Sequence, residues 1–407
     1  MDGYIPLLSA LVALLFGLAI GKAWERYKLK DGHWIDRRRT RESPHYMLGL
    51  NFLVGNQIEP AIEELTRAAE TAGDPLEIRL ILGNLYREKG QVGRAIQEHQ
   101  QLLQRPDLRK LEHANVLLCL GLDYKRGGFV DRALEAFTEV LRLDPDNQYA
   151  LANLEKLYEE QHQWRDAYST RQKLSGRDTA TSQGRHHEIL AFLENEIGLD
   201  AVKRGDFAEA RARFQAAVDL DSRTVPAYLN LGDLDVQQQD LPTAISAWER
   251  LIEQSPERAY LAFSRLEAAY QDVGEEGRFP ALCRRLIDAN PQDWRARLAL
   301  ARHLSSRGSA REALDLLFEA LVQNPHALAV HQAIWQTLSQ LSLPQSLVNR
   351  YVELTRDSVF YLDAHICVRC RYRSTELLWQ CPHCHEWNTF VEERIAPAKD
   401  NEATLTS

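Results

Sequence analysis

Apolar residues recur three and four positions apart through most of this chain, in runs broken by short polar turns. That spacing puts them on one face of an α-helix, and paired runs predict helical hairpins. The clearest copy is Leu120 to Pro145, LGLDYKRGGFVDRALEAFTEVLRLDP. Gly121 and Ala133 are small enough to let two antiparallel helices approach closely, and Tyr124 and Phe137 supply the large apolar contacts between them. Gly128 suits the tight inter-helix turn, and Pro145 stops the second helix because its ring clashes with the preceding turn.

The same pattern recurs along the chain. Units align on Gly49, Gly83, Gly121, Glu155, Gly198, Gly232, Glu267, Ala301 and Trp335, with gaps of 34, 38, 34, 43, 34, 35, 34 and 34. The second small position holds Ala61, Ala95, Ala133, Ala167, Ala210, Ala244 and Ala313. In the seventh unit it is Phe279, which marks that unit as irregular. Terminating prolines fall at Pro145, Pro256, Pro291 and Pro325. A period of about 34 residues with these offsets is the tetratricopeptide repeat (TPR) signature. The gap of 43 marks an insertion, Arg177 to Arg185, whose polar RDTATSQGR reads as a loop or hinge. The reading is therefore a first stack over 45–175, an insertion loop over 176–185, and a second stack with its cap over 186–363.

The amino terminus breaks the pattern. Tyr4 to Gly21, YIPLLSALVALLFGLAIG, carries no charge and is near the length needed to cross a bilayer. A cleaved signal peptide would want Lys or Arg before the apolar run, where only Asp2 is charged. The basic residues follow it instead. Lys22 to Arg41 holds eight basic and three acidic residues. The positive-inside rule then leaves the bulk of the chain on the cytoplasmic side. The expected organisation is a transmembrane anchor over 1–21 and a basic juxtamembrane segment over 22–44. The whole chain of 407 residues is acidic, at net charge −9, which argues against a general nucleic-acid binder.

Four of the six cysteines cluster near the carboxyl end as Cys367-x2-Cys370-x10-Cys381-x2-Cys384. Each CxxC turn can aim two thiolates at one ion, and two such turns complete a tetrahedron. The ribbon over 364–394 is too short to hold together on its apolar core alone, so a metal staple is expected. Two disulfides or a redox CxxC pair are the alternatives; a reducing cytoplasm disfavours the first and the paired motif the second. Zinc and a single iron both suit four thiolates. All four positions are protein-filled, which makes the site structural. His383 and His385 are expected to be exposed, and Trp379 and Trp387 to pack the ribbon against the last helices. A polar tail over 395–407 completes the chain.

No GxSxG, Walker loop or HExxH occurs. His187-Glu188 begins like the last, but position 191 is Ala, and Gly17 to Lys22 only echoes a phosphate loop. No catalytic residue is assigned, and the chain reads as a scaffold. Repeat arrays of this kind present an inner surface built from the first helix of each pair. Asn84, Arg87, Lys125 and Arg126 fall there, either as a clamp for a partner's carboxylates or as solvated helix surface. Trp164, Trp248, Trp294 and Trp335 are expected to be packing residues, and Cys119 and Cys283 to be buried small apolar ones.

The order of anchor, basic segment, helical array and four-cysteine ribbon resembles the lipopolysaccharide assembly protein B family of bacterial inner-membrane proteins. The resemblance is sharpest at Leu50-Asn51-Phe52-Leu53 with Asn56-Gln57, at Leu82-Gly83-Asn84-Leu85, and at Leu378-Trp379-Gln380-Cys381-Pro382-His383-Cys384 followed by Trp387. It implies an all-α TPR solenoid with a rubredoxin-like carboxyl-terminal domain packed on it, the metal-ligand role falling on Cys367, Cys370, Cys381 and Cys384. Where rubredoxin-type knuckles often have Gly, this chain has Arg371 and His385. The resemblance further implies a non-enzymatic adaptor that helps the membrane protease FtsH degrade the deacetylase LpxC, and that links synthesis to lipopolysaccharide transport and regulatory proteins. Two other readings stand beside it. One is a nucleic-acid-binding zinc ribbon, through Arg369, Arg371 and Arg373, a cluster diluted by Glu376, Glu386, Glu392 and Glu393. The other is a thiolate or iron redox sensor.

Overall fold

The computed structural model describes residues 43–71, 75–174, 180–339, 341, 345–355 and 365–392. The expected anchor, nearly all of the basic segment and the tail lie outside them. Among the described residues, no helix is long and apolar enough to cross a membrane.

The described residues are all-α apart from a small carboxyl-terminal ribbon. Helices pair as hairpins: α1 (Pro44–Val54) with α2 (Ile58–Thr71), α3 (Leu76–Glu88) with α4 (Val92–Leu103), and α5 (Lys110–Arg126) with α6 (Val130–Leu143). Then come α7 (Gln148–Glu160), α8 (Trp164–Lys173), α9 (Ala180–Lys203), α10 (Phe207–Leu220), α11 (Val225–Gln237) and α12 (Leu241–Gln254). A 3-10 turn (Pro256–Leu261) leads into α13 (Phe263–Asp272), α14 (Arg278–Ala289), α15 (Trp294–Ser306), α16 (Ala310–Gln323), α17 (Leu328–Leu338) and α18 (Gln345–Thr355). Two compact units divide between Leu157 and Tyr158, ahead of the insertion where the sequence suggested a break.

One contact explains why the hairpins close. In five units a glycine on the first helix lies against a large side chain on the second: Gly49 on Leu65, Gly83 on His99, Gly121 on Phe137, Gly198 on Phe214 and Gly232 on Trp248. A Cβ at Gly121 would stand 2.7 Å from Phe137 Cε1, and one at Gly49 would stand 2.8 Å from Leu65 Cγ. In the seventh unit the first helix carries Glu267 at this position, and the residue facing it is small. Cys283 takes the ring position opposite Glu267, fully buried, and its thiol is pushed up to about 12 by burial and then by the Glu267 charge. Leu317 meets Ala301 within the last cluster.

The turn between the paired helices is equally regular. The residue seven places after each aligned position is left-handed in every unit from the first to the eighth. Five are glycine (Gly90, Gly128, Gly205, Gly274, Gly308), and Asn56, His162 and Gln239 take the same backbone conformation with a side chain. Helix ends follow the side chains. Asp206 and Asp240 cap α10 and α12 by accepting from the amides of Glu209 and Thr243, and Asp293 caps α15. Helices α6, α12, α14 and α16 stop two residues before Pro145, Pro256, Pro291 and Pro325.

Several expectations need correction. The insertion is not a loop through Arg185, because α9 begins at Ala180 and runs 24 residues. Its first turns are held by Arg185, paired with Glu188 one turn on and with the ribbon described below. Trp335 is 59% exposed, touching Tyr351 of α18 edge-on. Cys119 is only half-buried, whereas Cys283 is buried. The seventh unit is irregular as expected. Its first helix is broken into the 3-10 turn and a short α13, and Phe279 is buried edge-on against Phe263.

Four substitutions test the crossing and the turn. Gly121→Ala should lower stability by roughly 1–3 kcal/mol through overpacking against Phe137, as should Ala133→Leu on the facing helix. Gly93→Ala, in α4 with nothing near it, should stabilise by about 0.4–1 kcal/mol. Gln239→Gly should gain on the order of 1 kcal/mol by relieving the left-handed backbone. Chemical denaturation of the four variants checks the signs; equal effects at positions 121 and 93 would refute the crossing argument.

Candidate metal centre

The ribbon is a three-stranded antiparallel sheet. β1 (His365–Cys367) lies between β2 (Arg373–Ser374) and β3 (Phe390–Glu392). Ile366 pairs with Arg373 on one side and Val391 on the other, and Cys367 pairs with Phe390. Each CxxC closes a tight turn. The amide of Arg371 donates to the Cys367 carbonyl at 2.9 Å, and that of His385 to the Cys381 carbonyl at 2.8 Å. Arg371 and His385 both adopt positive φ, 65° and 54°. The knuckle geometry that usually recruits glycine is therefore kept here with side chains in place.

The four sulfurs converge, with every pair within 4.8 Å. Cys367 and Cys384 are 3.8 Å apart and Cys370 and Cys381 3.6 Å, far beyond a disulfide bond. A tetrahedral ion with sulfurs at about 2.3 Å separates them by about 3.8 Å, so the donor set fits one closed four-coordinate site. Electrostatics point the same way. For Cys367, burial opposes the thiolate, but the Thr389 hydroxyl and the amides of Cys370 and Arg369 outweigh it and bring the thiol down to about 6. Burial and the neighbouring sulfurs push Cys384 up to about 12. Without a cation, four negative charges cannot coexist in this volume; a divalent or trivalent ion lets all four ionise.

The ribbon docks on helices from the middle of the chain, not on the last ones as expected. Trp387 is 2% exposed. It stacks on Phe192 of α9, centroids 5.3 Å apart, and meets Trp164 of α8 at 6.2 Å. Its indole N–H donates to Glu159 at 3.0 Å, and the Gln380 amide donates to the other oxygen of that carboxylate, also at 3.0 Å. Glu159, at the end of α7, is itself buried, so these donors are what make the site tolerable for a charge. Trp379 packs on Phe192 and lies beneath the Arg258 guanidinium. Around the edge, Arg185 binds Glu386 and the Trp387 carbonyl, Asn388 donates to Glu188, and Arg295 pairs with Glu392. His385 is half-buried, 3.9 Å from Glu160, whereas His383 is exposed.

Sequence reasoning missed Glu159, Arg185, Phe192 and Arg295 altogether. Glu159 and Arg185 carried no local signal, since each reads as an ordinary polar helix residue.

The four residues placed on the inner surface divide. Arg87 is only 15% exposed and binds the buried Asp123 at 2.8 Å, which also holds His99. Its guanidinium neutralises an interior carboxylate and is not presented as a clamp, because Asp123 at 0% exposure requires a partner. Asn84 is half-buried against Cys119, and Lys125 reaches Asn153 at 3.2 Å. Arg126 is exposed.

Comparison with known proteins agrees with this anatomy. A family model for a rubredoxin metal-binding domain matches residues 365–392, and a tetratricopeptide-repeat model matches 46–107, 195–259, 229–279 and 280–327. The lipopolysaccharide assembly protein B of Escherichia coli strain K12 is 23% identical over 93% of this chain and 95% of its own. That of Haemophilus influenzae is 24% identical over 96% and 99%. A tetratricopeptide repeat protein from Parabacteroides merdae aligns over 74% of this chain and 99% of its own, at 15% identity and a TM-score of 0.34. The four close cysteines within a rubredoxin-type domain suggest one structural metal ion.

Trp387→Ala should cost roughly 3–5 kcal/mol of docking and folding energy. Glu159→Ala should cost about 1–3 kcal/mol by leaving the buried Trp387 indole N–H unpaired. Both should raise proteolytic sensitivity of the ribbon and speed metal loss to a chelator. Metal release at the wild-type rate from Trp387→Ala would show that docking and metal retention are independent.

Proposed function

We propose that this chain, which resembles lipopolysaccharide assembly protein B along nearly its whole length, is a non-enzymatic adaptor of lipopolysaccharide assembly held at the cytoplasmic face of the inner membrane. Full-length similarity to that protein in two organisms carries the reading. Tetratricopeptide repeats support a role in binding other proteins. The apolar run 4–21 followed by a basic segment supports a single-pass anchor with the array inside the cell.

In this reading the adaptor promotes FtsH-dependent proteolysis of LpxC and couples synthesis to lipopolysaccharide transport and regulatory proteins. Tethering both client and protease to one membrane raises their effective concentration without any bond-making by the adaptor itself. Asn84, Lys125 and Arg126 remain candidates for the client-binding surface, with Arg126 the exposed charge; Arg87 acts on it only through Asp123. Cys367, Cys370, Cys381 and Cys384 hold iron or zinc as a staple. A closed four-thiolate cage has no open coordination position, so the ion supplies folding energy and no chemistry on a substrate.

Depleting the protein should slow LpxC turnover and raise its level severalfold, by immunoblot after blocking translation. A chain lacking residues 1–21 should fail to restore turnover. Unchanged LpxC half-life on depletion would sink the proteolysis reading, and elemental analysis of the purified chain decides the metal.

A further inference from the structure

We propose that the exposed face of α1 is a membrane-contact surface, seated on the headgroup layer of the bilayer. In later units the first helix is tied to the one before it through two positions. One holds Asn153, Asn230 and Arg265, which bind Lys125, Asn195 and Asp233. The other, four residues on, holds Asp123 and His303, which bind Arg87 and Glu267. Counted from Gly49, the same positions in α1 are Met47 and Asn51. Among the described residues no hairpin precedes α1, so the face that is covered in those later units is bare here.

What α1 places on that face is mostly apolar. Met47, Leu50, Asn51 and Val54 are spaced three and four apart, in one stripe on the side away from Gly49, which meets Leu65 of α2. Gly49 alone in the helix is buried. Met47 is 52% exposed and Val54 86%, and Leu48 beside the stripe is exposed too. The helix carries no carboxylate, and its histidine, His45, pairs with Glu64 at 2.7 Å. The carboxylates of α2 do not reach this face either. Glu59 pairs with Lys89, and Glu64 also holds Arg67. Glu63 and Glu70 are exposed on the opposite side of α2 from the core residues Ala61, Leu65 and Ala68. The end repeat of a helical solenoid needs a polar outer face to meet water, and an apolar one marks a contact site.

The occupant follows from the chain and from area. Lys22 to Ser43 joins the apolar run to α1, and Lys22 to Arg41 holds eight basic and three acidic residues. Even fully extended, that link keeps Pro44 within about 75 Å of the run. Given the anchor proposed above, on which this inference rests, the bilayer is a tethered neighbour at high effective concentration. Anionic headgroups attract the basic link and meet no carboxylate on α1. A second copy of the chain fits poorly. The outer face of an 11-residue helix measures roughly 16 Å by 10 Å, far below the about 800 Å² that each partner gives to a stable interface. A tethered bilayer needs neither that area nor shape complementarity.

The test uses the full-length chain in vesicles of phosphatidylethanolamine and phosphatidylglycerol. A benzophenone amino acid replaces Met47, Val54 or, as a control, the exposed Thr138 of α6. After illumination, adducts are read by peptide mass spectrometry. Lipid adducts at Met47 and Val54 should exceed those at Thr138 several-fold. With Met47→Glu and Val54→Glu combined, a probe in place of Leu48 should lose most of its lipid adducts. Melting temperature and retention in the vesicles through an alkaline carbonate wash should stay at wild-type values. Loss of the wild-type chain in that wash would overturn the anchor, and this inference with it. Three results with the chain retained would overturn the contact surface alone: no excess of lipid adducts at Met47 and Val54, unchanged Leu48 adducts in the double variant, or adducts joining two copies of the chain.

Discussion

A glycine face to face with a large side chain is the contact on which each regular hairpin depends. Helices crossing with Cβ atoms at that point would be pushed apart, and a gap would open along the whole inter-helix seam. In the regular units the bulk sits on the second helix, as Leu65, His99, Phe137, Phe214 or Trp248, and the first helix yields. In the seventh unit Glu267 faces the smaller Cys283. The bulk at this crossing is therefore shared differently from one unit to the next.

Polar pairs tie neighbouring first helices together. Arg87 with Asp123, Lys125 with Asn153, Asn230 with Asn195, Arg265 with Asp233, and His303 with Glu267 each join one repeat to the next. They set the register between hairpins whose apolar seams are themselves alike. They also occupy many of the side chains that a sequence reading would offer to a partner.

The ribbon rests on two supports of different physical kind. Its sulfur cage ties β1 and the two knuckles to one point, which so small a sheet needs in place of a core. Its docking face inserts Trp387 among Phe192 and Trp164 and satisfies the buried Glu159 carboxylate. The second support makes the ribbon part of the second unit's core, so an ion held by the four sulfurs would stabilise helices that it does not touch. Docking also takes up the charges of Glu386 and Glu392, on Arg185 and Arg295.

The sequence by itself determined everything that is written at short range. The 34-residue period, the small and large positions of the hairpin, the prolines that end helices and the paired CxxC turns all act within one or two turns of chain, so their spacing carries the information. Tertiary structure alone decided where the ribbon lands, that Ala180 to Arg185 extends α9, that Arg87 serves Asp123, and that Trp335 is left uncovered. These outcomes join residues up to 228 positions apart. Each depends on which surfaces remain unburied after the local hairpins have formed, and no periodicity in a linear chain records that remainder.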